Sequence, residues 1–505
     1  MIIDNHWDVK PEDYTDLSQA DILKMIGENH FLWTESTGWM YYNGSIWEPG
    51  EQYIHLLAQD ITRLQKSKAE QEYIAASQKV AELEIKHIED TENNQIKAEL
   101  KTAAATKQAA QKYLKYAVQE KQSSRIRAAI DMAQHQMTKD ISIFDRDPYL
   151  LNCPSYTVNL LTGEQQEHSY RDYITKCTAT DPGTDGQVQW QQFLDRITAG
   201  DRDIQGYLQS VFGKAAIGEV HSENLIILYG KGGNGKSTLT NAVRKVMGDY
   251  AIQAEPQLLI TSNQNKAQEM EVFRGARLAL SAELEYGVNL DSAMMKRLTS
   301  TDNITCNPKY HKPYSFTPTH TLLLSTNYLP RVNNQDKGTW DRIVVVPLTA
   351  QIRGQQGEIT NYAKTLVSKC GPAILSWVIQ GARNYIAAEF KLNPPDNVQQ
   401  QTEDYHREND RIQLFISEYC DTGSQYSVQS SILYSAYRDY CSSIGAIPDS
   451  QKAFTLAIES KGYQKSRTKA GIYFKGLHLN PVPVPDSAVP DSENLDWDSF
   501  IERDD

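Results

Sequence analysis

One segment limits this chain's folding choices more than any other: Gly230-Lys231-Gly232-Gly233-Asn234-Gly235-Lys236-Ser237. It follows an apolar run, Leu225 to Tyr229, and precedes a helix-forming stretch, Thr238 to Met247. Strand, glycine-rich loop and helix is the context in which the pattern G-x-x-x-x-G-K-[ST] acquires a physical meaning. Glycines let successive backbone N–H groups curl round phosphate oxygens, and the helix N-terminus adds positive potential. Gly230, Gly232, Gly233, Asn234, Gly235, Lys236, Ser237 and Thr238 are therefore the candidate nucleotide-binding residues, with Lys236 reaching the outer phosphates. The Ser237 hydroxyl is a candidate Mg²⁺ ligand, so ATP and Mg²⁺ are the expected cofactors. A GTPase would also carry an Asn-Lys-x-Asp motif; Asn265-Lys266-Ala267-Gln268 lacks its aspartate.

Two further apolar runs end in polar groups. Arg277 to Ala282 leads into Glu283-Leu284-Glu285, and alternation places both glutamates on one side if the strand continues that far. Glu283 is a candidate metal ligand, and both glutamates are candidates for polarising an attacking water. Thr321 to Thr326 ends at Asn327, a candidate sensor of the terminal phosphate, and Arg342 stands just before the run Ile343 to Val346. Lys236, Glu283, Glu285, Asn327 and Arg342 form the candidate catalytic set.

The rest of the chain is modular. Residues 1–50 alternate aromatics with glycine around Trp33, Trp39, Tyr41, Tyr42 and Trp47, which reads as a hairpin with a small aromatic core. Residues 51–147 contain neither Gly nor Pro and are rich in Ala, Gln, Lys and Glu, a helical composition broken at Asn93-Asn94 and Ser123-Ser124. Residues 428–478 read as helix, helix, hairpin: Val428 to Ser443, Ser450 to Lys461, Tyr463 to Gly476. Lys465, Arg467 and Lys469 on that hairpin suit a winged helix offering a basic wing to DNA. Six dispersed cysteines give no zinc-ligand spacing and no disulfide framework. The net charge of −13 argues against a generally basic nucleic-acid binder. Residues 486–505 carry −7 of it, however, which leaves room for local basic surfaces elsewhere. That tail is expected to be disordered. No apolar run reaches membrane-spanning length and the N-terminus lacks a signal-peptide layout, so a soluble cytoplasmic protein is expected.

In order, these parts resemble superfamily 3 helicases in the branch of phage, plasmid and large-virus primase-helicases. The matching stretches are Gly230 to Thr238, Ser281 to Glu285, Lys296 to Asp302, Phe316 to His320, Ser325-Thr326-Asn327 with Pro330, and Arg342. Upstream, Leu160 to Glu164 looks like the branch's helicase-associated domain, and downstream Asn393-Pro394-Pro395 looks like its linker. The sequence departs from the family at Ser300-Thr301, where two glycines are usual, and at Tyr286, where an acid is common.

The resemblance implies an α/β fold with an AAA+-like P-loop ATPase core, an α-helical N-terminal domain and a C-terminal winged-helix domain. The expected division is 1–180 helicase-associated domain, 181–392 ATPase core, 393–412 linker, 413–480 winged-helix-like DNA-binding domain and 481–505 acidic tail. It further implies an ATP-dependent replicative helicase of a mobile element: a homo-hexameric ring translocating 3′→5′ on single-stranded DNA in a bacterial host cell. Arg342 would act on the neighbouring subunit. Lys296 and a pore hairpin carrying Lys309, Tyr310, His311 and Lys312 would grip DNA. No primase activity is expected, because little chain precedes the helicase-associated region and no zinc-ligand set is present. A separate primase or replication protein is the expected partner of the tail, and no membrane partner is expected. The competing reading is an origin-binding initiator or nucleotide switch that assembles on DNA without processive unwinding.

Overall fold

The computed structural model describes residues 6–261, 267–307, 313–332, 336–352, 354, 361–444, 448–469 and 471–480. The chain divides into two compact units, Met1–Thr402 and Glu403–Asp505.

The first unit opens with helix α1 (Asp16–Gly27), whose first turn is capped by the Thr15 hydroxyl accepting from the Ser18 N–H. An antiparallel sheet follows: β1 (Phe31–Thr34), β2 (Gly38–Tyr42) and β3 (Trp47–Pro49). The aromatic-rich segment is a core. Trp39, Tyr42 and Trp47 are buried, and the Trp47 indole N–H donates to the Tyr170 carbonyl at 2.9 Å.

The Gly- and Pro-free stretch forms α2 (Glu51–Glu89), α3 (Asn94–Gln119) and α4 (Ser123–Gln136). The breaks fall at the polar positions for a local reason. The Asn93 side chain accepts from the Gln95 and Ile96 N–H groups, satisfying donors that a helix start leaves open. The α2–α3 seam is rich in small buried residues: Ala69 and Ala117 cluster with Tyr113, and Ala103 with Val80 and Leu83. Short strands β4 (Leu150–Asn152), β5 (Thr157–Asn159) and β6 (Gln165–Gln166) form a second antiparallel sheet. Helices α5 (Gln187–Ile197) and α6 (Arg202–Lys214) follow.

The next elements are β7 (Leu225–Tyr229), α7 (Lys236–Met247), β8 (Ala251–Ala254) and β9 (Leu278–Ala282). After α8 (Ser292–Thr299) a two-stranded hairpin, β10 (Ile304–Cys306) and β11 (Tyr314–Phe316), leads to β12 (Thr321–Thr326). A single turn, α9 (Lys337–Trp340), β13 (Ile343–Pro347) and α10 (Tyr362–Ala387) complete the core. Five strands pair in the order β13-β7-β12-β9-β8, all parallel. Parallel strands are covered on both faces, and the apolar runs of β7 and β12 are accordingly buried throughout or nearly so. Their core extends to Leu151, Val158 and Leu160 of the β4–β5 region, to α5 and α6, and to α10.

Helix α11 (Asp396–Asn409) occupies most of the stretch 393–412 expected as a linker. The second unit then consists of α12 (Arg411–Tyr419), β14 (Cys420–Gln429), α13 (Ser430–Ser443), α14 (Gln451–Ser460), β15 (Lys465–Thr468) and β16 (Gly471–Leu479). The helix read as beginning at Val428 begins at Ser430, because β14 occupies the preceding residues and pairs with β16. Its core gathers Phe415, Tyr437, Phe454 and Phe474. The acidic tail lies outside the described residues.

Two packing features yield tests. Helices α6 and α10 approach so closely that a Cβ on Gly381 would lie 2.0 Å from the Gln209 carbonyl oxygen. Gly381→Ala should destabilise the first unit by about 1–3 kcal/mol. Gly206→Ala, where a Cβ meets nothing within 4 Å, should not. Chemical denaturation of the two variants checks this.

Lys214 is buried, donates to the Ser222 carbonyl at 2.7 Å, and burial pushes its pKa down from 10.5 to about 7. Between those values the unfolded chain holds a proton that the folded chain lacks, so this group makes stability rise with pH across that window. Lys214→Met should therefore stabilise most near pH 7, and its advantage in melting temperature should shrink toward pH 10.

Candidate functional site

Parallel pairing brings the glycine loop and two polar strand ends together. In the register, Thr326 of β12 is paired with Tyr229 of β7, and Ser325 with Ala282 of β9. Residues 230, 327 and 283 therefore leave the sheet side by side.

Within the loop, Gly233 and Gly235 have φ of 83° and 91°, values that side chains rarely allow. A Cβ at Gly235 would also lie 2.5 Å from Ile197, whereas one at Gly232 would meet nothing. Asn234 is buried and anchors the loop, donating to the Leu348 carbonyl at 2.6 Å. The Ile352 N–H donates to the Gly233 carbonyl at 2.9 Å. Lys236 opens α7, and its ammonium is the hub of the loop. It donates to the Gly230 carbonyl at 2.6 Å, to Asn327 Oδ1 at 2.9 Å and to Asn234 Oδ1 at 3.0 Å. Burial lowers its pKa to about 8, with the Glu283 carboxylate working in the opposite direction.

These groups border a cavity of ≈ 320 Å³ that also includes Ser237, Thr238, Glu283 and Asn327. Its other wall comes from residues that the sequence did not single out: Phe193 and Arg196 of α5, Ile352, and Tyr362 at the start of α10. They lie far from the loop in sequence and carry no local motif, so only folding brings them to it.

Strand β9 stops at Ala282. Glu283 has φ of 35°, and its N–H donates to the Ser325 carbonyl at 2.9 Å. A left-handed backbone on a non-glycine residue costs energy and is concentrated at functional sites. Because the strand ends there, the alternation placing both glutamates on one side does not operate. Glu283 lines the cavity; Glu285 is not among its lining residues.

Arg342 sits elsewhere. Its carbonyl accepts from the Leu225 N–H at the start of β7, so it lies at the end of the sheet opposite the glycine loop. Its guanidinium pairs with Glu223 and donates to the Gly338 carbonyl at 2.7 Å. Glu223, also not singled out from sequence, accepts from the Thr301 N–H at 3.3 Å, ahead of the β10–β11 hairpin. Lys296 pairs with Asp336 at 2.7 Å, and Asp336 caps the turn of α9 that leads to Arg342. The hairpin residues Lys309, Tyr310, His311 and Lys312 lie outside the described residues. Lys465, Arg467 and Lys469 are exposed on β15 and the residue after it, in the second unit.

The cavity suits a polyphosphate. It offers a pocketed ammonium, an open glycine flank and a helix start. No group of three or more His, Cys, Asp or Glu side chains able to hold a metal occurs among the described residues. A divalent cation here would take Ser237 and Glu283 from this chain and its remaining ligands from phosphate and water, the usual mode for Mg²⁺. No helix among the described residues is long and apolar enough to cross a membrane.

Fold and site together define an α/β protein with a parallel sheet, a glycine loop at its C-terminal edge and a helical N-terminal region. Family models match three stretches: "D5 N terminal like" over residues 20–199, a family of unknown function over 228–342, and "Poxvirus D5 protein-like" over 407–482. The chain is 25% identical over 298 residues to "Putative helicase L207/L206" of Acanthamoeba polyphaga mimivirus, covering 54% of this chain and 31% of that protein. It is 23% identical over 232 residues to "Putative helicase 022R" of Frog virus 3, covering 42% and 24%. It is 28% identical over 126 residues to "Putative primase C962R" of African swine fever virus, covering 24% and 13%. The chain thus spans a third or less of the length of these relatives. A solved apo structure of the NrS-1 C terminal region aligns over 68% of this chain and 85% of its own at 11% identity, with a TM-score of 0.41 that is too low to bear on the fold. D5-type models thus match both ends of the chain, and its relatives in large viruses carry the names putative helicase and putative primase, so the chain is similar to the phage and large-virus primase-helicases.

The loop geometry makes its own prediction. Gly235→Ala must relieve both a positive φ and a 2.5 Å contact with Ile197, so it should lower the melting temperature and weaken nucleotide binding at least about tenfold. Titration with a fluorescent ATP analogue reads the second effect.

Proposed function

We propose that the chain is an ATP-dependent DNA helicase of superfamily 3 with an AAA+-type core, acting as a ring of identical subunits, most simply a hexamer. One observation carries the reading: the Lys236 ammonium joins the glycine loop to Asn327 on the neighbouring strand, in a cavity that Glu283 also lines. Counted along the chain, the five parallel strands lie in the order 5-1-4-3-2, which places a strand between the loop strand and the Glu283 strand. That spacing supports an ATPase in which an intervening polar strand end contacts the terminal phosphate.

In this reading the loop N–H groups and Lys236 bind the ATP phosphates, and Ser237 and Glu283 hold Mg²⁺. Glu283, rather than Glu285, orients and deprotonates the attacking water. Asn327 bonds Lys236 and so links the state of the terminal phosphate to β12. Arg342 is separated from its own cavity by the five residues of β13, about 16 Å of strand, which supports action on a neighbour's ATP. Through Glu223 it is tied to the Thr301 N–H, just ahead of the β10–β11 hairpin, a route by which hydrolysis would move DNA-gripping groups. The tip of that hairpin, Lys309 to Lys312, and Lys296 are the proposed grip on single-stranded DNA, with 3′→5′ movement. The second unit's order of helix, strand, two helices and hairpin supports a winged helix whose Lys465, Arg467 and Lys469 meet DNA. The tail beyond residue 480 is the proposed contact for a separate primase or replication protein.

Lys236→Ala should abolish ATP hydrolysis and strand separation. Glu283→Gln should keep ATP binding while slowing hydrolysis by about 10²–10³-fold. Arg342→Ala alone should be inactive, and mixing it with Lys236→Ala should restore part of the ATPase; no rescue at any ratio removes the shared site. Forks with 3′ or 5′ tails test the motor, and unwinding of 3′-tailed forks alone is expected. Slow hydrolysis that DNA does not stimulate, with neither fork opened, would favour an initiator that assembles on DNA without unwinding it.

A further inference from the structure

Helix α3 carries a surface that the ATPase reading does not use. At about 100° per residue, Lys97, Lys101, Lys112 and Lys115 fall within roughly 60° of arc and extend along about 27 Å of helix. All four are exposed. They lie opposite the buried face, where Ala103, Ala110, Tyr113 and Ala117 pack toward α2. The positions between them on this outer face are Ala104, Ala105, Gln108 and Gln111, small or uncharged, so an extended polyanion meets neither a bulky side chain nor a carboxylate. The helix's one acid, Glu99, points to another side and accepts from Gln95 at 3.3 Å.

A helix face exposed only to water normally mixes signs, because like charges three or four residues apart destabilise the helix. The neighbouring α2 obeys that rule, pairing Lys66 with Glu70 at 3.1 Å and Lys79 with Glu82 at 3.9 Å. On α3 the spacings 97/101 and 112/115 set lysine against lysine, and among the described residues none of the four forms an ion pair. Lys112 is steadied instead over the Tyr14 ring at 5.2 Å. In a chain of net charge −13, such a one-signed strip is a local exception. We infer that the outer face of α3 is a binding surface for the phosphate backbone of nucleic acid, contacted without base reading. Phosphates repeat every few ångströms along a strand, so a straight row of flexible ammonium groups on a rigid helix engages several at once.

The test replaces all four lysines with glutamine (K97Q, K101Q, K112Q and K115Q) in the full chain. Binding to duplex, single-stranded and forked DNA is followed by fluorescence anisotropy across a salt series. The variant should bind at least one of these DNAs roughly tenfold or more weakly at low salt, with a log–log salt slope shallower by about 3–4. Its circular dichroism and its ATPase without DNA should match the parent's. Parent-like affinity and slope on all three DNAs overturn the inference. So does DNA binding equal to or tighter than the parent's together with the same gain on deleting residues 481–505, which would assign the lysines to the acidic tail. The outcome is separable from the helicase reading: a chain that opens no fork can still show the slope change, and a chain that unwinds can lack it.

Discussion

The parallel hydrogen-bonded register of β7 between β12 and β13 is the constraint on which the rest depends. Each residue pair along β7 sets the level at which its neighbours leave the sheet. The loop after Tyr229, Asn327 after Thr326 and Glu283 after Ala282 consequently share one edge, although nearly a hundred residues separate the first from the second. The same register holds the Arg342 carbonyl against the Leu225 N–H at the opposite edge. The ladders of one parallel sheet thus assemble three candidate site groups and remove a fourth from its own cavity.

Electrostatics then works inside that frame. The Lys236 ammonium is drawn out of water and compensated by carbonyl and amide oxygens, while its pKa falls to about 8 because burial outweighs the nearby carboxylate. A group poised in this way gains when phosphate oxygens replace neutral acceptors, since charge-assisted bonds are the stronger ones. The left-handed backbone of Glu283 is the local cost of turning a carboxylate into the cavity just past the end of a strand. Around the periphery the chain handles charge differently. Its acids dominate overall, yet the outer face of α3 is basic alone, so net charge says little about where a polyanion would settle.

Much of this was legible in the sequence because the signals are local. Strand, glycine loop and helix follow one another within 25 residues, and Asn93 and Ser123 mark where the long helical stretch breaks. The expectation for Glu285 depended on the strand continuing past Ala282, and a single backbone angle at Glu283 ended it. Likewise β14 escaped notice because its run from Cys420 to Gln429 is mostly polar and only sparsely buried, and it becomes a strand by pairing with β16.

The amino-acid sequence by itself determined the glycine loop with Lys236 and Ser237, the polar ends of two buried strands and the helical character of residues 51–136, since each rests on periodicity or on neighbours a few residues apart. Only the tertiary structure decided the strand order, the wall of Phe193, Arg196 and Tyr362, the pairing of Arg342 with Glu223 and the side of α3 that faces outward. Those features depend on which distant segments bury surface against each other, and no local pattern of residues encodes that choice.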